Sequence, residues 1–266
     1  MNDEKQFFET NQKSWDTRVD THVDSEFYNN KAFIAGENSL KEIEIAILGD
    51  VKGLKILHLQ CHFGQDSISL SRMGAEVTGI DFSPKAIETA KELAIKTGQN
   101  TRFICSNIYD LPEVFNEQFD LVYTSYGTIG WLPDLNRWAK VVAHFLKPKG
   151  KFVFVEFHPV VWMFDDDFSK VAYNYFNSGP IIENEIGTYA DKNATISSEY
   201  VMWNHDFGEV LGSLLSENLE LKQFQEYDFS PYNCFSHTIE IGLSRFRIAH
   251  LKNYIPMVYS LVMEKK

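Results

Sequence analysis

From Leu54 to Phe157 the chain alternates short apolar runs with stretches in which apolar residues recur every three or four positions. Lys55–Leu59 (KILHL), Glu76–Ile80 (EVTGI), Thr101–Cys105, Phe119–Thr124 (FDLVYT) and Lys151–Phe157 (KFVFVEF) have the length and content of buried strands. Gln65–Met73 reads as a short helix. Ser83 and Pro84 open a longer one as N-cap and first-turn proline. Its inward face is Ala86, Ile87, Ala90, Leu93 and Ala94, and Gly98 stops it. Asp134 caps a third, facing inward with Leu135, Trp138, Ala139, Val142 and Phe145. A helix from about Phe207 to Ser216 and strands at Leu219–Glu226 and Met257–Glu264 follow. Strands alternating with amphipathic helices predict an α/β fold, a doubly wound, mostly parallel sheet of seven strands.

Two segments break this pattern. Residues 159–200 hold many aromatics, Gly and Asn, with three consecutive acids at Asp165–Asp167, and are too long for a plain connection. They predict an inserted lid. Residues 1–50 are polar and helical, anchored by Trp15, Phe27, Tyr28 and Phe33, and predict a cover docked on the core of one domain spanning 1–266.

Charge narrows the partners. The 266 residues hold 25 Lys+Arg against 37 Asp+Glu, a net charge of −12, which disfavours nucleic acid and anionic membranes. No apolar run is long enough to span a bilayer, and the opening MNDEKQFFETNQK lacks the apolar stretch of a secretory leader. Three widely separated cysteines, Cys61, Cys105 and Cys234, fit reduced thiols, so a cytoplasmic protein is expected. The sequence says nothing of oligomeric state.

Ligands of such sheets sit at the carboxyl ends of the strands. That edge gathers His58–Gly64, Asp81–Ser83, Asn107–Tyr109, Thr124–Gly127 and His158. The first turn, Gln60-Cys61-His62-Phe63-Gly64-Gln65-Asp66, has one of the three glycines that a dinucleotide loop needs. Asp66 in the following helical turn would repel a phosphate. Both features disfavour NAD, FAD and ATP. Asp81, ending the second strand, is placed to accept ribose hydroxyls, and Asn107 offers an amide to an adenine edge.

The order of these features resembles the class I S-adenosylmethionine-dependent methyltransferases, and the chain is similar to an uncharacterised bacterial, small-molecule branch of them. Leu57–Gly64 matches the family's first motif, with Gly64 as its last glycine and His58, Gln60 and His62 replacing the usual acid and glycines. Val77–Ser83, Ser106–Pro112, Phe119–Ser125 and Leu146–Phe154 match the next four, with Lys149 in place of a usual glycine. The resemblance implies a Rossmann-like methyltransferase fold. It implies S-adenosylmethionine held by Gln60, Cys61, His62, Phe63, Gly64, Asp66, Asp81, Phe82, Asn107, Ile108 and Ser125.

Methyl transfer needs alignment and exclusion of water, and a base only where the acceptor must lose a proton. His158, beyond the fifth strand, and His205, before the helix at Phe207, are the candidate catalytic bases. Trp15, Tyr28 and Tyr126 are the candidate acceptor contacts, since aromatic faces suit a sulfonium and a small organic molecule. No His/Cys/Asp cluster has metal-ligand spacing. The expected function is methyl transfer to a small-molecule acceptor. The alternative is a non-catalytic binder of S-adenosylmethionine or S-adenosylhomocysteine.

Overall fold

The computed structural model describes residues 2–266. Three helices open the chain, α1 (Asn2–Asp24), α2 (Asn30–Ile34) and α3 (Glu42–Leu48). Then come β1 (Lys55–Leu59), α4 (Gln65–Arg72), β2 (Glu76–Asp81), α5 (Pro84–Thr97), β3 (Arg102–Cys105), α6 (Leu111–Val114), β4 (Phe119–Ser125), α7 (Leu135–Phe145) and β5 (Leu146–Phe157). A hairpin of β6 (Ile181–Ile186) and β7 (Ser197–Met202) precedes α8 (Phe207–Ser216) and β8 (Leu219–Tyr227). A second hairpin, β9 (Thr238–Gly242) and β10 (Arg245–Ile248), precedes β11 (Val258–Lys265).

The main sheet has seven strands in the order β3-β2-β1-β4-β5-β11-β8. Only β11 runs against its neighbours, pairing antiparallel with both β5 and β8. Strand order reverses between β1 and β4, so the crevice of a doubly wound sheet opens at their carboxyl ends. The central strands are buried on both faces, which explains their unbroken apolar runs. On one face Trp138 of α7 meets Phe152 and Phe154 of β5 at ring-centroid distances of 5.5 Å.

Local signals act as their chemistry predicts. Ser83 accepts from the Ala86 amide to cap α5, Gly98 ends it in the left-handed region, and Asp134 accepts from the Asn136 and Arg137 amides to cap α7. Strand β5 begins at Leu146, five residues earlier than its apolar run. Lys147–Gly150 stays in the strand with a register shift against β4 and Lys149 at φ 66°. Residues 159–200 are partly ordered into the β6–β7 hairpin. The segment between β8 and β11 is a further 30-residue insertion, residues 228–257, carrying the β9–β10 hairpin.

Helix α1 is docked by an unusual face. Asn11, Ser14, Arg18 and His22 recur at three-and-four spacing and are at most 2% exposed, so the buried stripe is polar. Each finds a partner. Asn11 exchanges two hydrogen bonds with the Val201 backbone, both 2.8 Å, and Ser14 reaches Ser198. Arg18 donates to Glu185 at 2.9 Å. The opening helix is thereby tied to the β6–β7 hairpin.

Candidate active site

A cavity of about 900 Å³ opens over the carboxyl ends of β1, β2, β4 and β5, a volume typical of small-molecule sites. One end is the loop after β1. Gln60, His62 and Gly64 have φ of 54°, 52° and 83°, so the backbone turns left-handed at every second residue. Gln60 and His62 thus adopt the conformation that glycine takes most readily. At Gly64 no side chain would fit, because a Cβ would lie 2.6 Å from the Phe103 ring. The side chains at the other two positions are used: Gln60 donates to the Thr128 carbonyl at 2.8 Å, and His62 lies 2.9 Å from His22 of α1.

Asp81 closes this end. Its two oxygens accept from the His62 amide at 2.8 Å and the Ser83 amide at 2.9 Å, which fixes the carboxylate against the loop. Burial pushes its pKa up to about 6 against those two hydrogen bonds. Gln60 and Asp81 also border a second, narrower pocket of about 30 Å³ lined by Phe8, Asn107 and Ile108. Asn107 spends its oxygen on the Tyr109 amide.

The loop after β4 forms the adjoining wall, joined to the first loop through Gln60 and Thr128. Tyr126 holds φ 34°, uncommon for a bulky residue and a mark of a constrained site. Glu156 of β5 holds the loop. Its carboxylate, 2% exposed, accepts from the amides of Gly127, Thr128, Ile129 and Phe157 and from the Thr128 hydroxyl. Glu44 of α3 accepts from Tyr126 Oη at 2.8 Å, and burial followed by the nearby Asp66 pushes its pKa up to about 7. Asp66 accepts from Ser39 Oγ at 2.6 Å, and burial raises its pKa also.

The sequence-derived residues separate by position. Gln60, Cys61, His62, Phe63, Gly64, Asp66, Asp81, Phe82 and Ser125 line the main cavity, as do Trp15, Tyr28 and Tyr126. Asn107 and Ile108 reach only the narrow pocket. The two candidate bases lie outside both. His158 is turned toward β8, with Nε2 2.9 Å from Glu226 and Nδ1 accepting from the Val160 amide. His205 is fixed by Glu209 and the Leu132 carbonyl, both at 2.8 Å. Neither lines the cavity, and each imidazole has both nitrogens hydrogen-bonded to the protein. The sequence reading also missed Tyr232, Cys234 and Phe235 from the second insertion, Arg18 from α1, and Glu156. The lone acid inside the apolar run KFVFVEF was the available signal for Glu156, since a buried carboxylate must find donors.

Residues 56–150 match the family model for a methyltransferase domain. An uncharacterized methyltransferase of Synechocystis is 37% identical over 134 residues, 49% of this chain and 60% of that protein. A ubiquinone biosynthesis O-methyltransferase of Coxiella burnetii is 35% identical over 115 residues, 43% of this chain and 47% of its own. Over residues 56–150 the chain carries a methyltransferase domain, similar to those of the class I S-adenosylmethionine-dependent methyltransferases. It nevertheless spans only 60% or less of these curated methyltransferases' own lengths. The fold likeness is wider. A putative S-adenosylmethionine dependent methyltransferase from Listeria monocytogenes superposes with a TM-score of 0.60 at 19% identity, covering 83% of this chain and 94% of the other.

The candidate site is dense in neutral imidazoles. Burial holds His22 at about 2 and His58 and His62 at about 3, with His62 and Arg18 adding to the depression at His22. Depressed histidines stay neutral when folded but take a proton when unfolded. Their contribution is therefore complete above their ordinary value near 6.5 and is lost below it, by about 1.4 kcal/mol per pH unit for each. Glu44 and Asp81 act the opposite way, because they bind protons in the folded state first. An imidazole-proton NMR titration should show His22, His58 and His62 unchanged between pH 8 and pH 5. A midpoint near 6.5 at any of the three would contradict this packing.

Proposed function

We propose that the chain transfers a methyl group from S-adenosylmethionine to a small-molecule acceptor. The observation that carries the reading is continuity: one cavity runs from Asp81 and the Gln60–Gly64 loop to the wall of Tyr126 and Tyr232. Cofactor and acceptor would meet inside it. The donor set suits this cofactor. Gln60 Oε1 is buried without a partner where the two pockets meet, and Asp81 presents a carboxylate for ribose hydroxyls. An uncharged adenosine needs no cradle for phosphate, so the side chains at positions 60 and 62 do not oppose it. Gln60, Cys61, His62, Phe63, Gly64, Asp66, Asp81, Phe82 and Ser125 would hold it, with Asn107 and Ile108 at its adenine end. When bound, the cofactor supplies an electrophilic methyl group on a sulfonium.

The remaining work falls to the chain. Trp15, Tyr28 and Tyr126 would orient the acceptor and exclude water. Helix α1 and residues 159–200 act as the cover, joined by residues 228–257. The narrow adenine end is lined by Phe8 of α1, and Gln12 donates to the Phe82 carbonyl at 2.6 Å, so α1 closes that end. Among the described residues no helix is long and apolar enough to cross a membrane.

Calorimetry with S-adenosylhomocysteine tests the reading, with NADH and ATP as controls. Binding of the first and not the others is expected. Asp81→Asn should weaken it about ten- to hundredfold, as charge-assisted hydrogen bonds contribute about 1.5–3 kcal/mol. The asparagine keeps an oxygen for one loop amide, whereas alanine would release both. Equal affinity in the variant would remove Asp81 from the site. Binding without turnover across an acceptor panel would favour a non-catalytic binder.

A further inference from the structure

The walls of the cavity carry eight Asp or Glu side chains and three Lys or Arg. Two of the cations are engaged, Arg18 with Glu185 at 2.9 Å and Lys192 with the Phe235 carbonyl at 3.4 Å. The third, Lys41, lies 5.1 Å from the centre of the Tyr232 ring. The acids at the end of β4 are different. Asp66, which lines the cavity, accepts from Ser39 Oγ at Oδ1, while Oδ2 has only Ser125 Oγ at 3.5 Å. Glu44, fully buried behind it, meets Tyr126 Oη. Among the described residues neither acid has a cation within 4.0 Å. Below them the hydroxyl of fully buried Tyr123 has no hydrogen-bond partner. The rings of Tyr126 and Tyr232 meet edge to face at 5.0 Å over this wall.

Carboxyl groups withdrawn from water without a cation are unfavourable unless a ligand supplies one. Aromatic faces beside them attract the same kind of ligand. An anionic acceptor would add a further negative charge to this wall. We propose that the acceptor is a small organic amine, bound as its ammonium to Asp66 and the faces of Tyr126 and Tyr232. This assignment rests on the methyl-transfer reading and names its substrate class.

The geometry also gives the proton a route. The ammonium N–H passes its proton to Tyr126 Oη as the tyrosine's own proton moves to Glu44 Oε2. The nitrogen is left neutral with a free lone pair, and Glu44 becomes a carboxylic acid. Tyr126 would be the catalytic residue and Glu44 the positioning residue behind it. The groups facing Glu44 are Asp66, Tyr123, Tyr126 and Tyr232, its Oε1 accepts from the Lys41 amide at 3.3 Å, and the Lys41 ammonium, 5.1 Å from the Tyr232 ring centre, favours the ionised form of Asp66. Since burial and Asp66 hold Glu44 at about 7, the wall loses negative charge as pH falls through that value.

The test compares 2-phenylethylamine with 3-phenylpropionate, similar in shape and opposite in charge, by calorimetry on protein saturated with S-adenosylhomocysteine. The amine should bind at least about tenfold tighter. Asp66→Asn should weaken the amine at least about fivefold on protein kept saturated with S-adenosylhomocysteine, whose own affinity for the variant is measured first. In the unsubstituted protein, amine affinity should fall between about pH 8 and about pH 6, although the amine stays protonated throughout. This series decides the matter if the variant does not fold. Equal or tighter binding of the carboxylate, or an amine affinity indifferent to both pH and Asp66, overturns the proposal. S-adenosylhomocysteine is titrated first on the same sample. Its failure to bind would fell the methyl-transfer reading, while the amine–carboxylate comparison on the free protein still decides the charge preference.

Discussion

Glu156→Ala should destabilise the protein by about 3–5 kcal/mol, the cost of leaving buried charge-assisted donors without their acceptor. Four backbone amides and one hydroxyl converge on this carboxylate from Gly127, Thr128, Ile129 and Phe157. The carboxylate they share is 2% exposed, so its removal strips these donors of a buried acceptor. For a chain of this size the loss corresponds to a melting temperature roughly 10 °C lower. Glu156→Gln should lie between, since its amide oxygen keeps some of the donors while its NH₂ faces the others. The competing outcome has a physical basis: burial also raises the pKa of this acid, so removing the charge removes a desolvation penalty. Thermal unfolding of both variants decides. A neutral or stabilising alanine would mean that the loop after β4 holds its shape without the carboxylate.

How much of this was legible in the chain depends on the kind of interaction. The parallel core follows from periodicity, because each helix buries an apolar stripe and each central strand an apolar run. Ser83, Asp134 and Gly98 act through bonds within a few residues of themselves, so position alone reveals them. The Gln60–His62 turn keeps its left-handed path because neighbouring contacts outweigh the side-chain preference: Gln60 is tied to Thr128, 68 residues away, and His62 to His22. Such distant partners leave no local trace. The same limit hid the polar stripe of α1, whose Asn11, Ser14, Arg18 and His22 resemble a solvent face until the β6–β7 hairpin is placed on them. It also hid the direction of the His158 ring. His158 does stand at the end of β5, yet its ring is drawn toward Glu226 of β8, and only the pairing of the last two strands fixes that direction. Residues 228–257 were overlooked although their length alone marked an insertion, by the reasoning that identified 159–200.

Arg18→Ala should release the cover while leaving the sheet intact. The side chain is 3% exposed and its guanidinium lies 5.5, 5.6 and 5.2 Å from the ring centres of Trp15, Trp131 and Tyr200. It also holds Glu185 of β6 at 2.9 Å. Truncation removes three cation–aromatic contacts, leaves Glu185 without its cation and opens a void between α1 and the hairpin. Together these should cost about 3 kcal/mol, taking about 0.5–1 for each ring contact and the rest for the broken pair. Because the contacts join α1 to β6–β7 and to Trp131 in the loop after β4, and not to the central strands themselves, the loss should be local. Amide exchange in residues 2–24 and 181–202 should quicken by about a hundredfold, with β1, β4 and β5 unchanged. Arg18→Lys should restore only part of the protection, since an ammonium keeps the charge but cannot stack a planar face. If the cover also governs access to the cofactor end, S-adenosylhomocysteine should leave the alanine variant faster while its arrival is little slowed. Exchange that quickens equally in the central strands would instead make α1 part of the core's cooperative unit, and the idea of a separable cover would fall.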